Sequence, residues 1–303
     1  MRERLYMERS KIKICVMRVG GTNRDADAAA CIEDLGANVE IVHLNDILRR
    51  RNLATYNGLI FPGGFAYGDY IRAGAIWAKR LMSFLKEDLR QFADSGKPIL
   101  GICNGFQVLV EAGLLPGFER FDEPQRAALA GNVSGRFECR WAFMKKNPES
   151  KCVFTTKARD VVRFPVAHGE GRFIVPDGDE TLKRLIENNQ IVFQYSDQGG
   201  KLAGGSYPKN PNGSTMDIAG ICSPSGTIFG LMPHPEDAYW WYQLPDWSGF
   251  IPPQNKEDGG EATRQMHGDG RAIFESMLEY IQGASGGTAS RSSAVGISGR
   301  VQD

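Results

Sequence analysis

Apolar positions in the first third of the chain recur with two alternating periods. Lys11 to Val19 (KIKICVMRV) is a β-branched-rich run that predicts a strand. The turn Gly20-Gly21-Thr22-Asn23 leads into a predicted helix from about Arg24 to Leu35, closed by Gly36 as a left-handed cap. Asn38 to Leu44 predicts a second strand, Asp46 to Arg51 a short helix, and Gly58 to Phe61 a third strand that runs into Pro62-Gly63-Gly64. The amphipathic stretch Gly74 to Ala93 predicts a long helix ending near Gly96, followed by a fourth strand at Pro98 to Ile102. Strands alternating with helices imply βαβ units, hence an α/β fold with an open, mostly parallel, twisted sheet flanked by helices. Sites in such sheets gather beyond the carboxyl ends of the strands, which is where Gly20, Gly63 and Cys103 fall.

The second half changes character. Arg136 to Met144, Lys151 to Thr155, Val161 to Val166, Arg172 to Val175, Ile191 to Tyr195, Asp217 to Cys222 and Thr227 to Met232 read as short strands between Gly, Pro and Asn turns, with one helix near Glu180 to Asn188. They predict an antiparallel extension of the same domain. Ala272 to Gln282 has apolar residues at helical spacing and predicts a last helix. The domain is therefore placed at residues 11–282. Residues 283–303 are rich in Gly and Ser with almost no large apolar side chains, and disorder is expected there.

The fourth strand ends in GICNGFQ, where Gly101 and Gly105 frame Cys103 in the G-x-nucleophile-x-G pattern of a sharp strand-turn-helix elbow. A helix starting at about Asn104 would aim its positive end at the sulfur, which favours thiolate. A buried structural cysteine after a core strand would have the same local sequence. Far along the chain, Met232-Pro233-His234-Pro235-Glu236 places an imidazole and a carboxylate two residues apart. The two prolines are expected to hold this segment extended, so that His234 and Glu236 share a face. The carboxylate then fixes the tautomer that lets the imidazole take a proton from a nucleophile. By itself the segment could equally be a surface turn. For an oxyanion, the backbone N–H of Asn104 is one candidate donor and the Pro62-Gly63-Gly64-Phe65 loop supplies another.

Composition narrows the classes. Lys plus Arg and Asp plus Glu number 36 each, so the formal net charge is zero, and no basic stripe suggests nucleic acid. The six cysteines form no C-x-x-C, which fits a reducing cytosol. The charged opening MRERLYMERS does not read as a signal peptide, and no apolar run approaches the roughly 18 residues of a membrane span. A cytoplasmic location is expected. Gly20 to Asn23 is only superficially like a phosphate-binding turn, because G-x-x-x-x-G-K-[ST] is absent. No H-E-x-x-H helix or cysteine cluster points to a metal.

GICNGFQ, PGGFAYGDYIRAGA and PHPE together resemble the class I (triad) glutamine amidotransferases, whose fold is flavodoxin-like. More narrowly, GNVSGRFECRW (Gly131 to Trp141), AHGEGRF (Ala167 to Phe173), QYSD (Gln194 to Asp197) and NPNGS (Asn210 to Ser214) resemble the glutaminase subunits of phosphoribosylformylglycinamidine synthase, an enzyme of purine biosynthesis. The resemblance spans about residues 11 to 282. It implies Cys103 as nucleophile, His234 as acid/base, Glu236 as its orienter, Gly64 and Asn104 as oxyanion donors, and Gln107 and His168 as contacts to L-glutamine. It also implies a synthetase subunit and a small accessory subunit as partners, with ATP and Mg bound by the synthetase and no cofactor in this chain. Two rival readings remain open at this level: a thiol hydrolase acting on peptides, and a non-catalytic binding subunit. The stretch Tyr239 to His267 is longer than the resemblance leads one to expect, and its aromatic residues suit either local packing or a partner surface.

Overall fold

The aliphatic run Lys13–Arg18 forms β1, with four successive side chains buried. In the computed structural model, which describes residues 6–50, 52–119, 121, 125–176, 180–249 and 267–288, it is followed by α1 (Asp25–Asp34), β2 (Asn38–His43), α2 (Leu44–Arg50), β3 (Gly58–Phe61), α3 (Ala75–Asp94), β4 (Ile99–Ile102) and α4 (Asn104–Glu111). The predicted elements appear in order, with ends shifted by one or two residues; Arg51 lies outside the described residues. Helix α3 shows why the periodicity was legible: Trp77, Ala78, Leu81, Leu85, Leu89 and Phe92 form one buried stripe. Trp77 packs on Phe61 of β3 with ring centroids 5.6 Å apart. Each such burial contributes roughly 1.5–3 kcal/mol.

Next come β5 (Ala128–Ala130), β6 (Glu138–Lys146), β7 (Val161–His168), β8 (Arg172–Ile174), α5 (Glu180–Glu187), β9 (Ile191–Ser196), β10 (Ile218–Cys222), β11 (Ile228–Leu231) and α6 (Arg271–Thr288). Nine strands form one sheet in the order β2-β1-β3-β4-β11-β10-β9-β6-β7. Its first five strands are parallel and the remainder antiparallel, so the extension is continuous with the parallel body. The register sets Phe61 beside Gly101, and Leu231 beside Ile102. Strands β3, β4 and β11 therefore end nearly level, and the segments that follow them emerge side by side. The last strand in the order, β7, folds back over these ends: the His234 N–H donates to Pro165 O at 2.9 Å.

Three elements differ from the sequence expectation. Lys151 to Thr155 is not a strand but a series of reverse turns, with Thr155 N–H on Cys152 O and Ala158 N–H on Thr155 O. Its alternating apolar residues serve turn packing, Phe154 lying 5.7 Å from Phe229. Ala128–Ala130, too short to show a period, pairs with β8 in a separate two-stranded sheet. Helix α6 continues to Thr288, six residues past Gln282 and into the stretch expected to be disordered; the rest of that stretch, residues 289–303, lies outside the described residues.

Within Tyr239 to His267, the described aromatic residues pack locally. The Tyr239 hydroxyl donates to Asp34 at 2.5 Å and accepts from Arg271 at 2.8 Å, and its ring lies 6.0 Å from Phe274 of α6. Trp241 and Trp247 meet edge to face at 5.8 Å. Residues 250–266 lie outside the described residues. Among the described residues no helix is long and apolar enough to cross a membrane.

Candidate active site

Between β4 and α4, Cys103 adopts φ 49° and ψ −104°. That conformation costs an L-residue about 1–3 kcal/mol and persists only where the surroundings over-determine it. Here the Cys103 N–H is held by Leu231 O at 2.8 Å, and its carbonyl accepts the Gln107 N–H at 3.1 Å. Both framing glycines are required by close approach. A Cβ at Gly101 would stand 2.6 Å from Leu109 Cδ1, and one at Gly105 would run into the Phe61 carbonyl. The elbow thus presses α4 against β3 and β4, and the buried Cys103 thiol donates to Ala167 O at 3.6 Å.

The Met232-to-Glu236 segment does not have the expected shape. Pro235 takes helical angles, φ −67° and ψ −29°, and Glu236–Ala238 is a 3-10 turn. Proline fixes φ near −65°, a value that extended and helical backbone share, so the two prolines could not decide ψ. The pairing inferred from spacing forms all the same: His234 Nδ1 and Glu236 Oε1 are 2.7 Å apart, both side chains buried. Burial works against a charged imidazole here, but Glu236 and Cys103 outweigh it and raise the His234 pKa well above its ordinary value. With Nδ1–H donated to Glu236, Nε2 is left without a hydrogen bond among the described residues. Cys103 is the thiol that, after Glu236, raises this pKa, which puts sulfur and imidazole in one electrostatic neighbourhood. Asp237 Oδ2 lies 3.9 Å from Nδ1. The ligand atoms of His234, Glu236 and Asp237 fall within 4.8 Å of one another; Nδ1 is committed to Glu236, and Asp237 forms an ion pair with Arg24.

The loop after β3 completes the site. Gly64 has φ 146°, and a Cβ there would stand 2.8 Å from Gly21 O. Its N–H makes no hydrogen bond among the described residues, and the Asn104 N–H, in the first turn of α4, has no intrahelical acceptor by construction of a helix end. The Asn104 side chain ties the two together, its Oδ1 accepting the Ala66 N–H at 3.0 Å and its Nδ2 donating to Gln107 Oε1 at 2.8 Å. Gln107 Nε2 in turn donates to Glu170 O at 2.6 Å, so both ends of this side chain are engaged with protein. Tyr67, Asp69 and Ile71 all have positive φ, and Arg80 pins Tyr67 through a 2.6 Å bond to its hydroxyl. Burial, then repulsion from Glu170, pushes the Asp69 carboxyl up to about 6.

His168 lies at the end of β7, buried, with Nδ1 3.2 Å from Asn132 Oδ1 and Nε2 unpartnered. Burial first, then repulsion from His234, lowers its pKa to about 3, so it is a neutral imidazole. Asn132 is the hub here: Nδ2 donates to His168 O at 2.8 Å and Oδ1 accepts the Gly171 N–H at 3.1 Å. Sequence reasoning missed Asn132, Glu170, Arg24 and Asp237 as parts of the site. The one local signal was Asn132 inside a Gly-flanked turn motif, and the others reveal themselves only through partners distant in sequence.

The profile of the CobB/CobQ-like glutamine amidotransferase domain matches residues 11–281. A phosphoribosylformylglycinamidine synthase subunit PurQ of Archaeoglobus fulgidus is 46% identical over 289 residues, covering 91% of this chain and 99% of that protein. The PurQ subunit of Methanococcus maripaludis is 42% identical over 271 residues, covering 89% and 97%. Among solved structures, a chain of PurLQS from Thermotoga maritima superposes with a TM-score of 0.62 at 33% identity, covering 89% of this chain and 99% of that one. A likeness of this length and identity leaves one conclusion: the chain belongs to the glutamine amidotransferase family, in the branch of the PurQ subunits of phosphoribosylformylglycinamidine synthase.

Proposed function

We propose that this chain hydrolyses L-glutamine to glutamate and ammonia through a thioester on Cys103. The ammonia goes to a synthetase subunit that uses ATP and Mg to convert formylglycinamide ribonucleotide to formylglycinamidine ribonucleotide, in the cytoplasm. The observation that carries the reading is the buried His234–Glu236 pair, emerging from β11 beside the strained Cys103 elbow of the adjacent strand. Family membership supports the substrate, and the name PurLQS of the Thermotoga maritima assembly supports a synthetase and a small accessory subunit as partners.

The thiol proton passes to His234 Nε2, and sulfur attacks the side-chain amide carbon of glutamine. The tetrahedral oxyanion is received by the Gly64 and Asn104 N–H groups, the two backbone donors left unpaired beside the thiol. His234 returns the proton to the departing nitrogen, the C–N bond breaks and ammonia leaves. Water then attacks the thioester, giving its proton to His234, and the C–S bond breaks to release glutamate and restore the thiol. Glu236 holds the imidazole in the tautomer that both steps need. Gln107 and His168 are the expected contacts to the substrate, the first offering the second lone pair of its amide oxygen and the second its Nε2, which has no hydrogen bond among the described residues.

Cys103→Ala in the assembled enzyme is the test. Glutamine-dependent product formation should fall by at least about a thousandfold, as for removal of a triad nucleophile, while formation of the same product from added ammonium salt persists. Equal loss of both activities would overturn the division of labour between the subunits.

A further inference from the structure

The turn Gly20 to Arg24 has a role that its sequence does not disclose. It is laced to the oxyanion loop: Asn23 and Arg24 N–H both donate to Gly63 O, at 3.4 and 3.3 Å, while Phe65 N–H donates to Gly21 O at 3.0 Å and Tyr67 N–H to Gly20 O at 2.8 Å. A trans peptide points its C=O and N–H in opposite directions. Holding Gly63 O toward the turn therefore fixes the Gly64 N–H away from it. The Arg24 side chain continues past the same glycine to the other half of the site. A Cβ on Gly63 would lie 2.7 Å from His234 Cε1 and 3.4 Å from Arg24 Cγ, so Gly63 sits between imidazole and arginine stem. The guanidinium ends between two carboxylates, Asp27 Oδ2 at 3.3 Å and Asp237 Oδ2 at 3.4 Å.

We propose that Arg24 is a positioning residue that keeps the oxyanion peptide and the His234–Glu236 pair in mutual register, by neutralising Asp237 and drawing it away from the imidazole. Asp237 is a second carboxylate, 3.9 Å from the nitrogen that Glu236 must hold at 2.7 Å. Without a counter-ion it competes for the same N–H and turns the ring off Cys103. The charged and titratable groups acting on Asp237 are Glu236 and His234 of its own segment, and Arg24 and Asp27 at the head of α1; the Cys31 thiol of α1 lies within the field of the same carboxylates. Burial, then repulsion from Glu236, lifts Asp237 to about 6 against the pull of His234 and Arg24, so it titrates where the enzyme can be assayed. This inference rests on the glutaminase reading.

Steady-state glutamine hydrolysis by the synthetase-bound chain, from pH 5.5 to 8.5, tests it with Arg24→Gln, Arg24→Lys, Asp237→Asn and the Gln/Asn double variant. Arg24→Gln should lower kcat about tenfold with the KM for glutamine within about twofold, the signature of lost alignment rather than lost binding. The deficit should grow as pH rises and Asp237 ionises without its partner. Arg24→Lys should recover part of it. The double variant should return to within about threefold of Asp237→Asn and lose the pH dependence, because the competing charge is gone. A wild-type kcat in Arg24→Gln at every pH, or a double variant as slow as Arg24→Gln throughout, would overturn the proposal. If Arg24→Gln does not fold, Arg24→Lys decides: its kcat should fall below that of the wild type by more at high pH than at low, with KM within about twofold, and a wild-type kcat at every pH counts against the role. Absence of glutamine turnover in the wild-type complex would instead sink the glutaminase reading.

Discussion

At the scale of single residues, the site sets two histidines a few residues from β-strand ends and gives them opposite characters. His234 gains a proton-holding environment from Glu236 and Cys103, whereas His168, next to an amide rather than a carboxylate, is kept neutral by burial and by repulsion from His234. The consequence for stability has a definite sign. A histidine whose folded pKa is about 3 against an ordinary 6.5 binds fewer protons folded than unfolded. Its neutral burial therefore costs nothing above pH 6.5, and stability is lost as pH falls from 6.5 toward 3. The full loss from such a shift is on the order of 5 kcal/mol. His168→Gln should flatten that slope. Urea midpoints at pH 7, 5 and 4 are the measurement, and a variant that loses stability with acid as steeply as the wild type would show that other groups carry the slope. Each histidine is followed two residues on by a glutamate, His168 by Glu170 and His234 by Glu236; the fold pairs only the second with its neighbour and turns the first to Asn132.

At the scale of elements, the packing of α4 on β3 through Gly105 is the contact on which the elbow depends. A methyl at position 105 meets the Phe61 carbonyl, whereas one at Gly131 meets nothing within 4 Å. Gly105→Ala should destabilise the protein by about 1–3 kcal/mol through overpacking, with loss of glutamine turnover as the elbow shifts, while Gly131→Ala should leave the urea midpoint nearly unchanged. A Gly105→Ala protein with wild-type midpoint and rate would mean that the helix can retreat freely. The parallel half was legible in the sequence because its strands and helices are long enough to show their periods and because glycines mark their ends. Ala128–Ala130 and the turns from Lys151 to Thr155 were not, since three to five residues carry too little periodicity to separate strand from packed turn. The pairing of His234 with Glu236 was legible from their spacing, yet the backbone shape argued for it was wrong: a proline constrains φ and is silent about ψ. Arg24 and Asp237 could not be paired from one sequence, because only the sheet order brings the head of α1 to the segment after β11.

At the scale of the whole molecule, the strand-end surface that carries Gly64, Cys103 and His234 also exposes large apolar side chains on the loop after β3. Phe65, Tyr70 and Ile71 are 52%, 74% and 88% exposed. The same loop holds left-handed non-glycine residues at Tyr67, Asp69 and Ile71, backbone strain that a second arrangement would relieve. A synthetase that docks on these side chains and favours the competent arrangement should raise turnover, about tenfold for each 1.4 kcal/mol of preference. Glutaminase assays of the isolated chain, then with synthetase, ATP and acceptor, should show slow hydrolysis that accelerates on assembly; an isolated chain already running at the full rate of the complex would refute control through this loop. The adjacency of β4 and β11 has a further consequence, in time rather than space. Roughly 130 residues separate Cys103 from His234, and a ribosome adding about 5–20 residues per second needs on the order of ten seconds to cross that gap. Through that interval the nascent elbow has a cysteine but no imidazole, and the strand that will supply it, along with the carbonyl that holds the Cys103 N–H, has not been made. On the proposed mechanism, a chain terminated within that gap is silent toward glutamine rather than a leaking source of ammonia.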